Sequence, residues 1–259
     1  TTDKNGETLP NPGVEYIQWP ESYPIDCEAF MKDNSGKYVK YLWDPNSYIN
    51  IMVYNFTTEP NSNSVTLGIS HIPFSTTGKH YLEGLGETDY SHLTLANLQF
   101  PLSVSINSLY INEESTPTEY STADIAVTLA HELGHYLGLH HVFAETDNGT
   151  CEDTDYCKDT KSYNKQEYDS KCDYIYENER EKYTFKNLVK RTGCDGIEFI
   201  SYNIMDYAIS YSNQFTQNQR ERIRHVLSYS PLIPGPKKGD IDTRALNEGP
   251  LDLPIRTIK

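Results

Sequence analysis

The chain has 259 residues, a formal net charge of −15 and 37% hydrophobic residues. Acidity of this size argues against nucleic acid and anionic membranes as partners, because a polyanion would be repelled. It fits a soluble, secreted protein, and the apolar fraction suffices for a sizeable core. No apolar run is long enough to span a bilayer. The chain opens on polar TTDKNGE without a signal peptide, which reads as a mature or trimmed product.

Turn signals at Asn5-Gly6, Asn11-Pro12-Gly13 and Ser35-Gly36 surround one apolar segment, Val14–Trp19. They predict loop, short strand and loop over residues 1–40. Tyr48–Asn55 alternates and is β-branched, which predicts a strand of the central sheet. Asn55-Phe56-Thr57 and Asn148-Gly149-Thr150 match the glycosylation sequon. Leu67–Pro73 reads as another strand, and residues 76–101 as a loop. His71, His80 and His92 read as structural or surface histidines. Leu102–Ile111 alternates and predicts the last strand before a long helix. Ser121-Thr122-Ala123-Asp124 resembles a helix start, with Ser121 as the N-cap candidate and an acid three residues later, and the helix running from about Ala123 to Leu137. Ala126, Leu129, Ala130, Leu133 and Leu137 would form its apolar stripe. Gly134 is costly inside a helix, which implies close approach of another backbone there.

That helix carries HELGHYLGLHH, His131–His141. His131 and His135 lie one turn apart on one face, so both rings can reach one metal ion. Gly138 lacks a Cβ and can end the helix with positive φ, swinging His141 in as a third ligand. Three nitrogens and one open position describe a catalytic zinc site. Glu132 projects beside the metal, placed to take a proton from a bound water. His140 is off the ligand spacing and reads as a neighbour of the site or a surface residue.

Residues 142–202 form a long polar segment holding Cys151, Cys157, Cys172 and Cys194, with helical pieces expected in Tyr174–Arg191. Such a loop cannot build its own core, so cross-links are a natural way to order it. A second, cysteine-rich metal site is the alternative, but the spacings lack C-x-x-C. Cys27 is either a buried free thiol or a cysteine that has lost its partner. CEDTDYCKDT gathers Asp153, Asp155, Asp159 and Thr160, hard oxygen ligands that suit calcium. Phe215-Thr216-Gln217-Asn218-Gln219 opens a helix with a T-x-x-Q capping box. It should run to about Tyr229 with Ile223, Val226 and Leu227 inward, until Pro231, Pro234 and Pro236 stop it. Residues 232–259 lack periodicity and read as an extended tail over the surface.

The zinc motif, DYCKDT at Asp155–Thr160, NIMDY at Asn203–Tyr207 and FTQNQRERI at Phe215–Ile223 together resemble the pappalysin-type branch of the metzincin zinc peptidases. WDPNSYINIMVYNF at Trp43–Phe56 and LGISHIPFS at Leu67–Ser75 extend the similarity to roughly residues 8–230. The resemblance implies an α+β fold: a twisted mixed sheet with an antiparallel edge strand, a zinc helix, and an irregular disulfide-bearing C-terminal subdomain with a C-terminal helix. Residues 1–259 would form a single metalloprotease domain. Residues 1–141 would be its N-terminal subdomain, 142–230 its C-terminal subdomain, and 231–259 the tail. A first strand and helix of the family would be missing before residue 1.

By the same resemblance, Met205 is a structural floor beneath the metal, and Tyr207 stabilises the tetrahedral state. The main chain of Leu67, Gly68, Ile69, Ser70, His71 and Ile72 is the edge strand that holds substrate. Asp155 and Thr160 belong to a calcium site, and the disulfides are Cys151–Cys194 and Cys157–Cys172. Several relatives carry acidic residues just past the methionine turn that select a basic side chain. Here Ala208-Ile209-Ser210-Tyr211 is neutral, which favours a neutral or apolar one.

The expected function is zinc-dependent endopeptidase action on extended peptides, by a zinc-bound water with Glu132 as general base. A zinc-stabilised, non-catalytic adhesin or interaction module is the alternative, and a zinc hydrolase of non-peptide amides a second. The expected partner is a peptide or protein substrate of a monomeric enzyme, with Zn2+ and possible Ca2+ as cofactors. The resemblance implies an extracytoplasmic or lipid-anchored bacterial location.

Overall fold

The computed structural model describes residues 1–4, 6–58, 65–89, 94–116, 119–146, 150–207, 209–238 and 255–258. His92, Asn5, Ala208, the Asn148 sequon and residues 239–254 of the expected tail lie outside them. The first part of the chain holds α1 (Cys27–Lys32), β1 (Ile51–Tyr54), β2 (Gly68–His71), β3 (Ser75–Thr76), β4 (Glu87–Thr88) and β5 (Val104–Asn107). Helix α2 (Ile125–Tyr136) follows, then α3 (Lys165–Asn178), α4 (Phe185–Leu188), β6 (Lys190–Thr192) and β7 (Glu198–Ile200). The last elements are α5 (Gln217–Tyr229) and β8 (Ile255–Ile258).

The apolar, β-branched runs pair as one mixed sheet in the order β1-β5-β2-β8. β1 runs parallel to β5, with Ile51 opposite Val104. β2 runs antiparallel to β5, with Ile69 opposite Ser105. Every residue of β2 and β5 is buried, as expected for strands covered on both sides. Helix α2 crosses β2 and β5, and Leu129, Leu133 and Leu137 pack it onto a core that includes Ile72, Phe74, Val104 and Ile106. Ile69 belongs to a second cluster of Phe30, Met31, Tyr54 and Phe56, capped by Trp19. Cys27 is buried there and unbridged, its thiol pushed up to about 12 chiefly by burial.

Several expectations are corrected. Val14–Trp19 makes no strand. Val14 has only a bridge to Asn11, Tyr16 is exposed, and Trp19 is used as a ring against Phe30 and Tyr38. The α2 cap is Asp124, not Ser121: its carboxylate accepts from the Ala126 and Val127 amides. A charged acceptor of two amides outcompetes a hydroxyl at a helix N-terminus. Ala126 is exposed, outside the apolar stripe. Leu227 is exposed too, because α5 turns Gln219 and Arg222 inward with Val226.

Cys151 and Cys194 are joined, closing a sequence separation of 43 residues. Cys157 and Cys172 are not joined. Cys157 is buried beside Asp155 and Arg222, whereas Cys172 projects from α3 towards Tyr168 and Arg191. The end of the chain is not merely laid on the surface. Leu232 and Ile233 enter the main core, and β8 pairs antiparallel with β2. The strand Leu67–Ile72 is therefore not the edge of this sheet; β8 is.

His71 is sealed between the two clusters. Its Nδ1 accepts from the Ser103 amide at 3.3 Å, and its Nε2–H donates to the Met31 carbonyl at 3.2 Å. Burial pulls its pKa from 6.5 to about 4. The unfolded chain takes up this proton below 6.5 and the native chain only near 4, so this contribution to stability is lost as pH falls through that window. In urea unfolding at pH 7.5, 6, 5 and 4, His71→Gln should be less stable at neutral pH but lose less stability on acidification than the native chain.

Candidate active site

Helix α2 places His131 and His135 one turn apart, both fully buried. The helix then stops where the sequence requires. Gly138 has φ +90°, a left-handed conformation that favours glycine. The Gly138 amide donates to the His135 carbonyl and the Leu139 amide to the Gly134 carbonyl, both at 2.9 Å. This reversal brings in His141, also buried.

The three Nε2 atoms converge: those of His131 and His141 lie 3.0 and 3.1 Å from that of His135. Each Nδ1 is committed elsewhere. His131 Nδ1–H donates to the Ile204 carbonyl at 2.7 Å and His135 Nδ1–H to the Leu139 carbonyl at 2.9 Å. His141 Nδ1–H donates to Glu145 Oε1 at 2.7 Å. Since a neutral imidazole has one N–H, all three Nε2 atoms present lone pairs to one another. Burial holds the His131 pKa down to about 4 and that of His135 well below its usual value, with the neighbouring histidines adding to the latter. Three neutral acceptors facing one point repel unless a cation lies between them. Zinc–nitrogen bonds of about 2.0–2.1 Å at tetrahedral angles need nitrogens about 3.3 Å apart, close to what is found. Among the described residues these three histidines are the one group of metal-ligating side chains so gathered.

The surroundings are shaped by side chains pressed against glycines. A Cβ at Gly68 of β2 would sit 2.6 Å from Cγ of the fully buried Glu132. A Cβ at Gly134 would collide with the sulfur of Met205, which lies buried beneath α2. The close approach at Gly134 is thus by a side chain of the 203–207 turn and not, as expected, by its backbone. The Tyr207 ring lies 4.8 Å from His141 and 6.3 Å from His131, centroid to centroid. His140 is buried against Tyr156.

A sequence model of the peptidase family described as pregnancy-associated plasma protein-A, the pappalysins, matches residues 33–228 of the 259. The chain belongs to this family. Over 97 residues it is 37% identical to an extracellular metalloprotease of Arthroderma benhamiae and 38% identical to one of Arthroderma otae. Each match covers 37% of this chain and 29% of the relative, so less than a third of those proteins is represented. Mature mirolysin of Tannerella forsythia, solved in complex with a cleaved peptide, is 21% identical at a TM-score of 0.43. That comparison covers 75% of this chain and 58% of mirolysin.

Four residues of this pappalysin-family site are not singled out by sequence reasoning: Glu145, Asp206, Arg191 and Arg222. Glu145 lies four residues past His141; that spacing is a signal only if the backbone curls back after Gly138. Asp206, inside NIMDY, accepts from the Tyr163 hydroxyl at 2.6 Å and the Tyr207 amide at 2.8 Å, and pairs with Arg191 at 3.3 Å. Arg191 and Asp206 are both about 1% exposed, so each charge needs the other. Arg222 of α5 donates to the Gly138 carbonyl at 2.7 Å, holding the turn that delivers His141.

Two outcomes follow from this geometry. Glu145→Gln should weaken zinc binding about 10- to 100-fold in a chelator competition, because the carboxylate fixes the tautomer and ring orientation of His141. Gly134→Ala should cost about 1–3 kcal/mol in urea unfolding, since Met205 must give way in a packed interior.

Proposed function

We propose that the chain is a zinc-dependent endopeptidase acting on extended peptides. The observation that carries this reading is the convergence of three buried Nε2 lone pairs, with every Nδ1 already committed, beside the buried carboxylate of Glu132. His131, His135 and His141 would hold the zinc. When bound, the metal would lower the pKa of a water and polarise the scissile carbonyl. Glu132 accepts the proton of the attacking water and passes it to the leaving nitrogen. The wall formed by Gly68 and Glu132 limits bulk water at that carboxylate. Tyr207 offers its hydroxyl to the carbonyl oxygen as charge develops there. Met205 packs under the histidines and keeps α2 from shifting.

In this reading an extended substrate bonds the main chain of β2 on the side that β8 holds in this structure. Past the turn, the Ile209 carbonyl accepts from Arg191 and the Ser210 hydroxyl is buried. No carboxylate comes from Ile209-Ser210-Tyr211, which supports a neutral or apolar side chain on the leaving side. The relatives named extracellular metalloproteases support an extracytoplasmic location; no helix among the described residues is long and apolar enough to cross a membrane.

Calcium is a further part of the reading. Asp155 is buried; its Oδ1 accepts from the Cys157 amide at 2.8 Å while Oδ2 finds no partner atom of hydrogen-bond geometry among the described residues, and Thr160 donates to the Cys157 carbonyl at 2.6 Å. Burial raises the Asp155 carboxyl to about 7. An oxygen left unmatched in such a turn is what a hard cation would satisfy.

Incubating a mixed peptide library with the native chain should yield cleaved peptides. Glu132→Ala should cut at least about 100-fold more slowly while holding the same single zinc; equal cleavage by both would sink the assignment. Calcium should raise the melting temperature of the native chain, and Asp155→Ala should abolish that rise.

A further inference from the structure

Strand β8 lies on the side of β2 away from β5. Their antiparallel register sets Ile255 opposite His71, Arg256 opposite Ser70, Thr257 opposite Ile69 and Ile258 opposite Gly68. The hydrogen bonding of β2 divides by alternation. The His71 amide donates to the Ser103 carbonyl, and the Leu67 carbonyl accepts from the Asn107 amide, so 67, 69 and 71 face β5. Gly68 and Ser70 therefore face outward, and their partners across the gap are Ile258 and Arg256. Gly68 is also the residue against which Glu132 packs. Followed from 255 to 258, the main chain of β8 advances along β2 to the level of that carboxylate, and it also approaches α2.

We infer that residues 255–258 are an intramolecular occupant of the peptide-binding side of β2, which an extended substrate must displace. This rests on the reading above in one respect only, that substrate pairs with the outer side of β2. The pairing uses main-chain groups, so it asks little of side-chain identity. A tethered strand also competes at an effective concentration that does not fall when the protein is diluted. The occupant is thus a regulator carried by the chain itself, and removing it opens the site without altering any residue around the histidines.

The test replaces Arg256→Pro and Ile258→Pro together in the full chain. Proline has no N–H to donate, so the pairing loses both of its outward donors from β8. Amide exchange at Gly68 and Ser70 should speed up by at least about tenfold, while α2 amides stay protected and show that the fold is intact. A synthetic peptide of residues 253–259, LPIRTIK, should bind the double variant at least about tenfold more tightly than it binds the native chain, with Glu132→Ala in both to prevent cutting. Unchanged exchange at Gly68 and Ser70 overturns the inference. So does equal binding of the peptide to both proteins, or binding to neither. If exchange and binding change as expected but neither Glu132-bearing protein cleaves any peptide, the occupant stands and the peptidase reading falls.

Discussion

The structure depends on three imidazoles that have each given away their only N–H. Once Nδ1 of His131, His135 and His141 donates outward, three lone pairs must face one another at about hydrogen-bond distance. A single cation placed among them would satisfy all three lone pairs at once. The three acceptors come from three places: the turn at Ile204, the reversal after α2 at Leu139, and Glu145 beyond it. Two are neutral carbonyls and one is a carboxylate, so the third histidine alone is oriented by a charged group.

Much of the rest keeps those acceptors where they are. Asn203 and Gln219 exchange hydrogen bonds at 2.9 and 3.1 Å, tying the turn that carries Ile204 to the capped start of α5. The Asn203 carboxamide oxygen also receives the Met205 amide. Beneath the turn, Asp206, Arg191 and Tyr163 form a buried polar cluster, with Arg191 lying 3.8 Å from the Tyr168 ring centroid. Such a cluster adds little net stability over an apolar core, but breaking one member leaves a buried charge unmatched. It therefore resists any displacement of the turn. Arg222 performs the same task at Gly138, and Val226 closes the space a Cβ there would need.

The cross-linked segment shows how a polar chain without a core of its own is ordered. The Cys151–Cys194 bond closes a long loop, which in the chain-entropy picture contributes roughly 4 kcal/mol. Within that loop the tyrosines act as apolar faces with polar tips, Tyr163 bonding Asp206 and Tyr168 bonding the Leu188 carbonyl. A second bridge would have to join Cys157, packed near α5, to Cys172 on α3, and the packing gives these thiols different neighbours.

The sequence by itself determined what is local. The i, i+4 spacing of His131 and His135, the glycine that must take positive φ at 138, and the capping box of Thr216 and Gln219 are set by backbone geometry within a few residues. The three core strands are legible in the same way, from alternation and β-branching, and come out shorter than the apolar runs that contain them. What needed tertiary structure is every partner chosen across a long separation. Val14–Trp19 has the pattern of a strand, but no strand among the described residues pairs with it. Asp124 displaces Ser121 as the cap because the cap is decided by which side-chain oxygen reaches the first free amides, here those of Ala126 and Val127. Arg191 finds Asp206, Glu145 finds His141, and residues 255–258 find β2. Hydrogen bonds and ion pairs of this kind are made by position in space, and two residues of suitable chemistry carry no mark in sequence that says which of many candidates they will meet.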